Sequence, residues 1–118
     1  MIISEYYRRN LKYPGLSLSI VVDASSGKRL KPIKEERSKS GAHGEDLYLI
    51  NNPVYVLRYN VSNSGKVSWS IVYVDPNNID QLYRRVYFKD LPLKIMKAIV
   101  KEALKEGIEI YPWDEVSE

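Results

Sequence analysis

VYVLRYNVSNSGKVSWSIVYV, residues 54–74, alternates apolar and polar side chains on both sides of a short polar break. A period of two puts Tyr55, Leu57, Tyr59 and Val61 on one face of a strand, and Val67, Trp69, Ile71 and Tyr73 on one face of the next. The break supplies Asn63 and Gly65, residue types that accept positive φ in a tight turn. The segment is therefore read as a β-hairpin. Its reverse face carries Ser68 and Ser70 at one end but Val54, Val56, Val72 and Val74 at the other. One helix cannot cover both apolar faces. A second cover is expected, either the N-terminal segment or a second subunit in a symmetric dimer.

Before the hairpin, LSLSIVVD (16–23) alternates in the same way, with Leu16, Leu18, Ile20 and Val22 to one side. LYLINNP (47–53) reads as a short strand stopped by Asn-Asn-Pro. Residues 1–13 fit two descriptions. Ser4 can cap a helix that aligns Ile3, Tyr7 and Leu11, or Ile2 to Tyr7 can be a first strand; Tyr13-Pro14-Gly15 ends either. Between about 24 and 46 periodicity is lost, and the stretch reads as a basic flexible loop in which Leu30-Lys31-Pro32-Ile33 could form a short edge strand.

After the hairpin, Ile79, Leu82, Tyr83 and Val86 recur at helical spacing behind Asn77 or Asn78, so 79–88 is read as a helix. LYRRVYF also fits a strand rich in aromatic and β-branched residues. The next element is a long amphipathic helix. Asp90 is the expected N-cap, Pro92 falls in the first turn, and Gly107 stands at the stop. Ile95, Met96, Ile99, Val100, Ala103 and Leu104 share its apolar face. IEIYPW (108–113) is expected to be a last short strand, and residues 114–118 a short acidic tail. Strands, then a long helix, then a closing strand give an α+β single domain over 1–118. Its mainly antiparallel sheet of four to five strands is packed by the C-terminal helix and, if 79–88 is helical, by a second short helix.

The bulk composition excludes several function classes. With no cysteine and one histidine, His43, there are no disulfides, thiolate nucleophiles or Cys/His metal centres, and neither cofactor nor metal is expected. The start of the chain lacks the features of a signal peptide, and no apolar run reaches membrane-spanning length. A cytoplasmic protein without membrane contact is expected, in the host cytoplasm if the chain is viral. Two Met, no Cys and abundant Ile, Tyr, Lys and Glu suit a heat-adapted host, a hyperthermophilic archaeon or one of its viruses.

The formal charge of +3 is a mild excess, so what matters is where the basic residues sit. Tyr-Arg-Arg occurs at 7–9 and again at 83–85. Arg8, Arg9, Arg84 and Arg85 can clamp phosphates or stack on bases beside a tyrosine platform. Equally, the tyrosines can be core and the arginines surface. Lys28, Arg29 and Lys31 lie in the basic loop, and Lys94, Lys97, Lys101 and Lys105 fall within roughly 80° of one another on the helix. Such a stripe can track a phosphate backbone or simply be the solvated side of a surface helix. Residues 78–106 allow a helix-turn-helix layout, yet the second helix offers Lys, Glu and Ala rather than base-reading side chains.

Enzymatic signals are weak. His43 and Glu45 have a His-x-Glu spacing without the Cys-x-x-Cys pair of a zinc deaminase, and Ser-Ser-Gly-Lys lacks the rest of a phosphate loop. A metal-dependent nuclease would need Asp23, Asp75, Asp80 or Glu45 gathered by the fold. The leading expectation is a non-enzymatic module that contacts nucleic acid through its phosphates. The alternative is a protein-interaction module, as a homodimer or an antagonist of a host protein, and a small nuclease comes third.

Overall fold

In the computed structural model, which describes residues 1–117, the hairpin is formed by β5 (Val54–Val61) and β6 (Val67–Val74). Tyr55 faces Tyr73, Leu57 faces Ile71, and Tyr59 faces Trp69. Gly65 makes the turn at φ 90°, a conformation that a side chain would strain. The second edge of β5 pairs along its whole length with β2 (Leu16–Asp23).

The sheet has seven strands rather than four or five. Its order is β3-β4-β1-β2-β5-β6-β7, with every neighbour antiparallel. The additional strands are β1 (Ile2–Arg9), β3 (Lys34–Arg37), β4 (His43–Leu49) and β7 (Tyr83–Val86). The N-terminal segment is thus a strand, and parts of the stretch 24–46 join the sheet. Its first part hydrogen-bonds to β2 and its second part is the β3–β4 hairpin. Residues 79–88, expected to be a helix, are a 3-10 turn at Ile79–Gln81 followed by β7. Asn78 does cap, its side chain accepting from the Gln81 amide, but only this one turn forms. The amides and carbonyls along the outer edge of β6 need partners, and the β-rich Tyr83–Val86 supplies them.

Helix α1 (Leu93–Lys105) starts behind Pro92 instead of Asp90, which ends a separate 3-10 turn at Phe88–Asp90. Ile95, Ile99 and Ala103 are buried against Leu18, Ile20, Leu57, Tyr59, Trp69 and Ile71. Residues 108–111 are not a strand. Ile108 and Ile110 pack beneath the sheet, the Tyr111 carbonyl accepts from Trp69 Nε1 at 3.1 Å, and Pro112–Asp114 is a 3-10 turn. Of the acidic tail, Glu115 bridges to Trp69 and the Val116 amide donates to the Trp69 carbonyl; residue 118 lies outside the described residues. No helix among the described residues is long and apolar enough to cross a membrane.

The reverse face has its own core. Val21, Val54, Val56, Val72 and Val74 are covered by Ile3, Tyr48 and Ile50, with Leu30 and Leu82 packed alongside. The N-terminal strand and its neighbour β4 therefore provide the second cover. They can do so because β1 and β2 pair only at Arg8–Ser17 and Arg9–Leu16. Beyond that point β1 leaves the β2 edge, and residues 28–30 take its place through the Leu30 amide to the Val21 carbonyl and the Asp23 amide to the Lys28 carbonyl. Glu5 lies at this split, 3% exposed, accepting from Ser19 Oγ at 2.8 Å and from Arg58 Nε and Nη2 at 2.9 and 3.0 Å.

The β3–β4 pairing depends on one glycine. A Cβ on Gly44 would sit 1.8 Å from the Glu36 carbonyl oxygen. Gly44→Ala is expected to push β3 off the sheet at a cost of about 1–3 kcal/mol, seen as lost amide-exchange protection at Lys34–Arg37 with the rest of the sheet retained.

Candidate polyanion-binding groove

The loop that replaces β1 along β2 continues across the flank of α1. Asp23 shapes it: its carboxylate accepts from the Ser25 and Ser26 amides at 3.1 and 2.7 Å and from Ser26 Oγ at 2.9 Å. The Ser26 amide and hydroxyl hold the Asp23 carboxyl below its ordinary pKa. Gly27 then turns the chain at φ 73°, and a Cβ there would lie 3.4 Å from that of Ala98. Two small residues thus let the loop approach the helix closely.

Between loop and helix runs a groove of about 730 Å³. Lys28, Arg29 and Lys31 form one wall, and Lys94, Lys97, Lys101 and Lys105 form the other. Two carboxylates offset part of this charge. Glu106 pairs with Arg29 at 2.6 Å, and Glu102 pairs with Lys105 at 2.9 Å. The hydrogen bond from Lys105, working against some desolvation and helped by Arg29 and Lys101, keeps the Glu102 carboxyl below the usual range. Lys28, Lys31, Lys94, Lys97 and Lys101 have no ion-pair partner among the described residues. Lys94 to Lys105 spans about 16 Å at the helical rise, which matches the axial length of about five phosphates on one strand of a duplex. None of the lining residues is aromatic.

The fold therefore gathers seven of the eleven basic residues singled out in the sequence. Arg9 stands nearby, in a hollow that shares Arg29 and Pro32 with the groove. The other three lie elsewhere. Arg8 ties the end of β1 to the β5–β6 turn, donating from Nη1 to Asn63 Oδ1 at 2.8 Å and from Nη2 to the Val61 carbonyl at 3.0 Å. Arg84 and Arg85 are on β7, the last strand of the sheet and three places from β2. Arg84 lies over the Tyr73 ring, while Arg85 lies over Tyr87 and donates to the Val116 carbonyl. With β7 a strand, the helix-turn-helix reading falls.

The tyrosines of the two Tyr-Arg-Arg copies receive other arginines, Arg37 at 3.8 Å from the Tyr7 ring centroid and Arg58 at 5.6 Å from that of Tyr83. The acidic residues considered for metal chemistry are dispersed. Asp23 holds the Ser25 and Ser26 amides, Asp75 holds the Asn77 amide, and among the described residues no three His, Asp or Glu side chains converge to hold a metal. Sequence reasoning passed over Glu5 and Arg58, whose pairing spans 53 residues. Burial alone would lower the Arg58 pKa, but the hydrogen bond and charge of Glu5 outweigh it and leave the guanidinium firmly protonated. Comparisons of the chain with protein-family models, with curated proteins and with solved structures yield no match.

Proposed function

We propose that the protein binds nucleic acid through the phosphate backbone, using the groove between the 26–32 loop and α1. The observation that carries this reading is the convergence of five lysines, none of them ion-paired among the described residues, from segments more than sixty residues apart, on the two walls of one groove. Ammonium groups are strongly hydrated point charges that suit phosphate contact but not base discrimination. Without an aromatic lining, stacking adds little, and binding should be indifferent to sequence. The reading is of a binding module.

Fluorescence anisotropy with labelled single-stranded and duplex oligonucleotides tests it. Contact with three to five phosphates should weaken binding about 50- to 500-fold between roughly 50 and 200 mM salt. Absence of binding at the lower salt, or binding indifferent to salt, would remove the reading.

A second reading, a protein-interaction module, rests on the other flank of α1. There Val100 and Leu104 remain exposed beside Met96, in a hollow that shares Lys97 and Lys101 with the lysine groove; elsewhere on the surface Trp113 is 76% exposed with Tyr111 stacked on it at 4.8 Å. Association through such a surface would persist as salt rises.

A further inference from the structure

We propose that the open half of the reverse sheet face is a binding site for a small ligand bearing a carboxylate, anchored by Arg58. Across β2, β5 and β6 the side chains on this face fall in rows that change character along the strands. Val21, Val56 and Val72 form one row, and Val54 and Val74 lie in the next; these are sealed under Ile3, Tyr48 and Ile50. In the opposite direction the rows become Ser19, Arg58 and Ser70, then Ser17, Asn60 and Ser68. Ser19 is buried against Glu5, but among the described residues Arg58 and Asn60 stay exposed and Ser17, Ser68 and Ser70 half-buried. With Ser4 to Tyr6 of β1 rising at one side and Val116 at the margin, they form a groove of about 440 Å³. That volume lies within the range of small-molecule sites, about 300–1,000 Å³.

An exposed polar sheet face alone would be a solvated surface. Arg58 makes this one different. Its Nε and Nη2 are held side-on by Glu5, and its side chain remains 43% exposed at the groove. Nη1 has no partner among the described residues. Burying Glu5 costs desolvation, and what it achieves is to fix a flexible arginine in one orientation with one edge of its fork unused.

The neighbouring polar groups also offer donors. Glu5 already accepts three hydrogen bonds, two on Oε1 from Ser19 and Arg58 and one on Oε2 from Arg58. Ser17 Oγ donates to Asn60 Oδ1 at 2.7 Å, which leaves the two Asn60 amide hydrogens, and the Ser68 and Ser70 hydroxyls have no partner among the described residues. A planar acceptor matches this set, and a carboxylate takes the fork of an arginine two-pronged. Glu5 already balances the guanidinium charge, so the site would hold its ligand through directed hydrogen bonds from Arg58 and Asn60, which a single carboxylate can accept, and it lacks the excess charge that a phosphate chain needs. It lies on the sheet face away from α1 and is independent of the lysine groove.

The test uses the full chain, isotope-labelled and followed by amide and arginine Nε shifts. Lactate and 4-hydroxybenzoate are the probes, with lactamide and 4-hydroxybenzamide as neutral isosteres, each to about 20 mM so that millimolar affinity registers. The expected result is saturable shifts at Ser17, Ser19, Arg58, Asn60, Ser68 and Ser70, with each amide at least about tenfold weaker than its acid. Arg58→Lys, which keeps a charge opposite Glu5, and Asn60→Asp, which removes donors from an exposed position, should each weaken binding about tenfold or more. Lys97→Glu with Lys101→Glu should leave the carboxylate titration unchanged. Shifts that do not saturate, that are equal for acid and amide, or that fall only along α1 and the 26–32 loop would overturn the proposal.

Discussion

Reversing Lys97 and Lys101 together to glutamate is expected to weaken nucleic-acid binding by about 100-fold at roughly 50 mM salt and to flatten its salt dependence by about two contacts. Both side chains line the groove, and both are exposed, outside the buried stripe of Ile95, Ile99 and Ala103. The fold should therefore persist, as the far-ultraviolet circular dichroism will show. Removing two of five unpaired ammonium groups loses two counterion-releasing contacts, and the new carboxylates repel the remaining phosphates. A charge-matched control separates a localised groove from general basicity. Lys12→Glu with Lys66→Glu changes the net charge equally but at exposed loop residues outside the groove. That variant should lose no more than about threefold, because exposed charges beyond a Debye length are largely screened. Equal losses in the two variants would mean that the protein binds through its overall charge and that the groove has no special part.

Trp69→Ala is expected to destabilise the protein by about 3–5 kcal/mol in urea denaturation, a large share of the stability of any small domain. Trp69 is 2% exposed and ranks among the largest fully buried side chains. It stands edge-on to Phe88 at 5.9 Å and faces Tyr59 across the hairpin. Its indole also holds the carbonyl of Tyr111, so the substitution opens a cavity and loosens the segment after α1. Trp69→Phe keeps most of the volume and the aromatic contact, and should cost only about 1–2 kcal/mol. The chain's other tryptophan, Trp113, is exposed, so the emission left in either variant should be red-shifted. A loss below about 1 kcal/mol for the alanine variant would place Trp69 outside the core.

The parts of this molecule that could be read from the sequence are those with a repeating local pattern. Alternation was sufficient for β2, β5 and β6, and it identified which residues face α1. Helical spacing with Pro92 and Gly107 at the ends was sufficient for α1. The apolar reverse face of Val54, Val56, Val72 and Val74 even announced that a second layer was needed. The failures came where short segments satisfy both periods. Ile79 to Val86 has helical spacing and strand-forming residues, and the open edge of β6 decided between them. The 24–46 stretch has too little periodicity to be recognised alone. It pairs with edges that other strands present, β2 for residues 28–30 and β4 for Lys34–Arg37.

The candidate sites divide in the same way. The sequence by itself determined that basic side chains lie in a loop and along one side of a helix, because both are local properties. That the two sets face each other across one groove was decided only by the tertiary structure, through the turn at Asp23 and Gly27 and the close approach to Ala98. The same holds for Arg8, Arg84 and Arg85, which look alike in the sequence but are spent on loops and edges. Glu5 and Arg58 meet only because β1 parts from β2 and leaves an opening that a carboxylate fills. Periodicity records which face a residue takes; the free energy of pairing edges and compensating buried charge, which no local window contains, decides what that face meets.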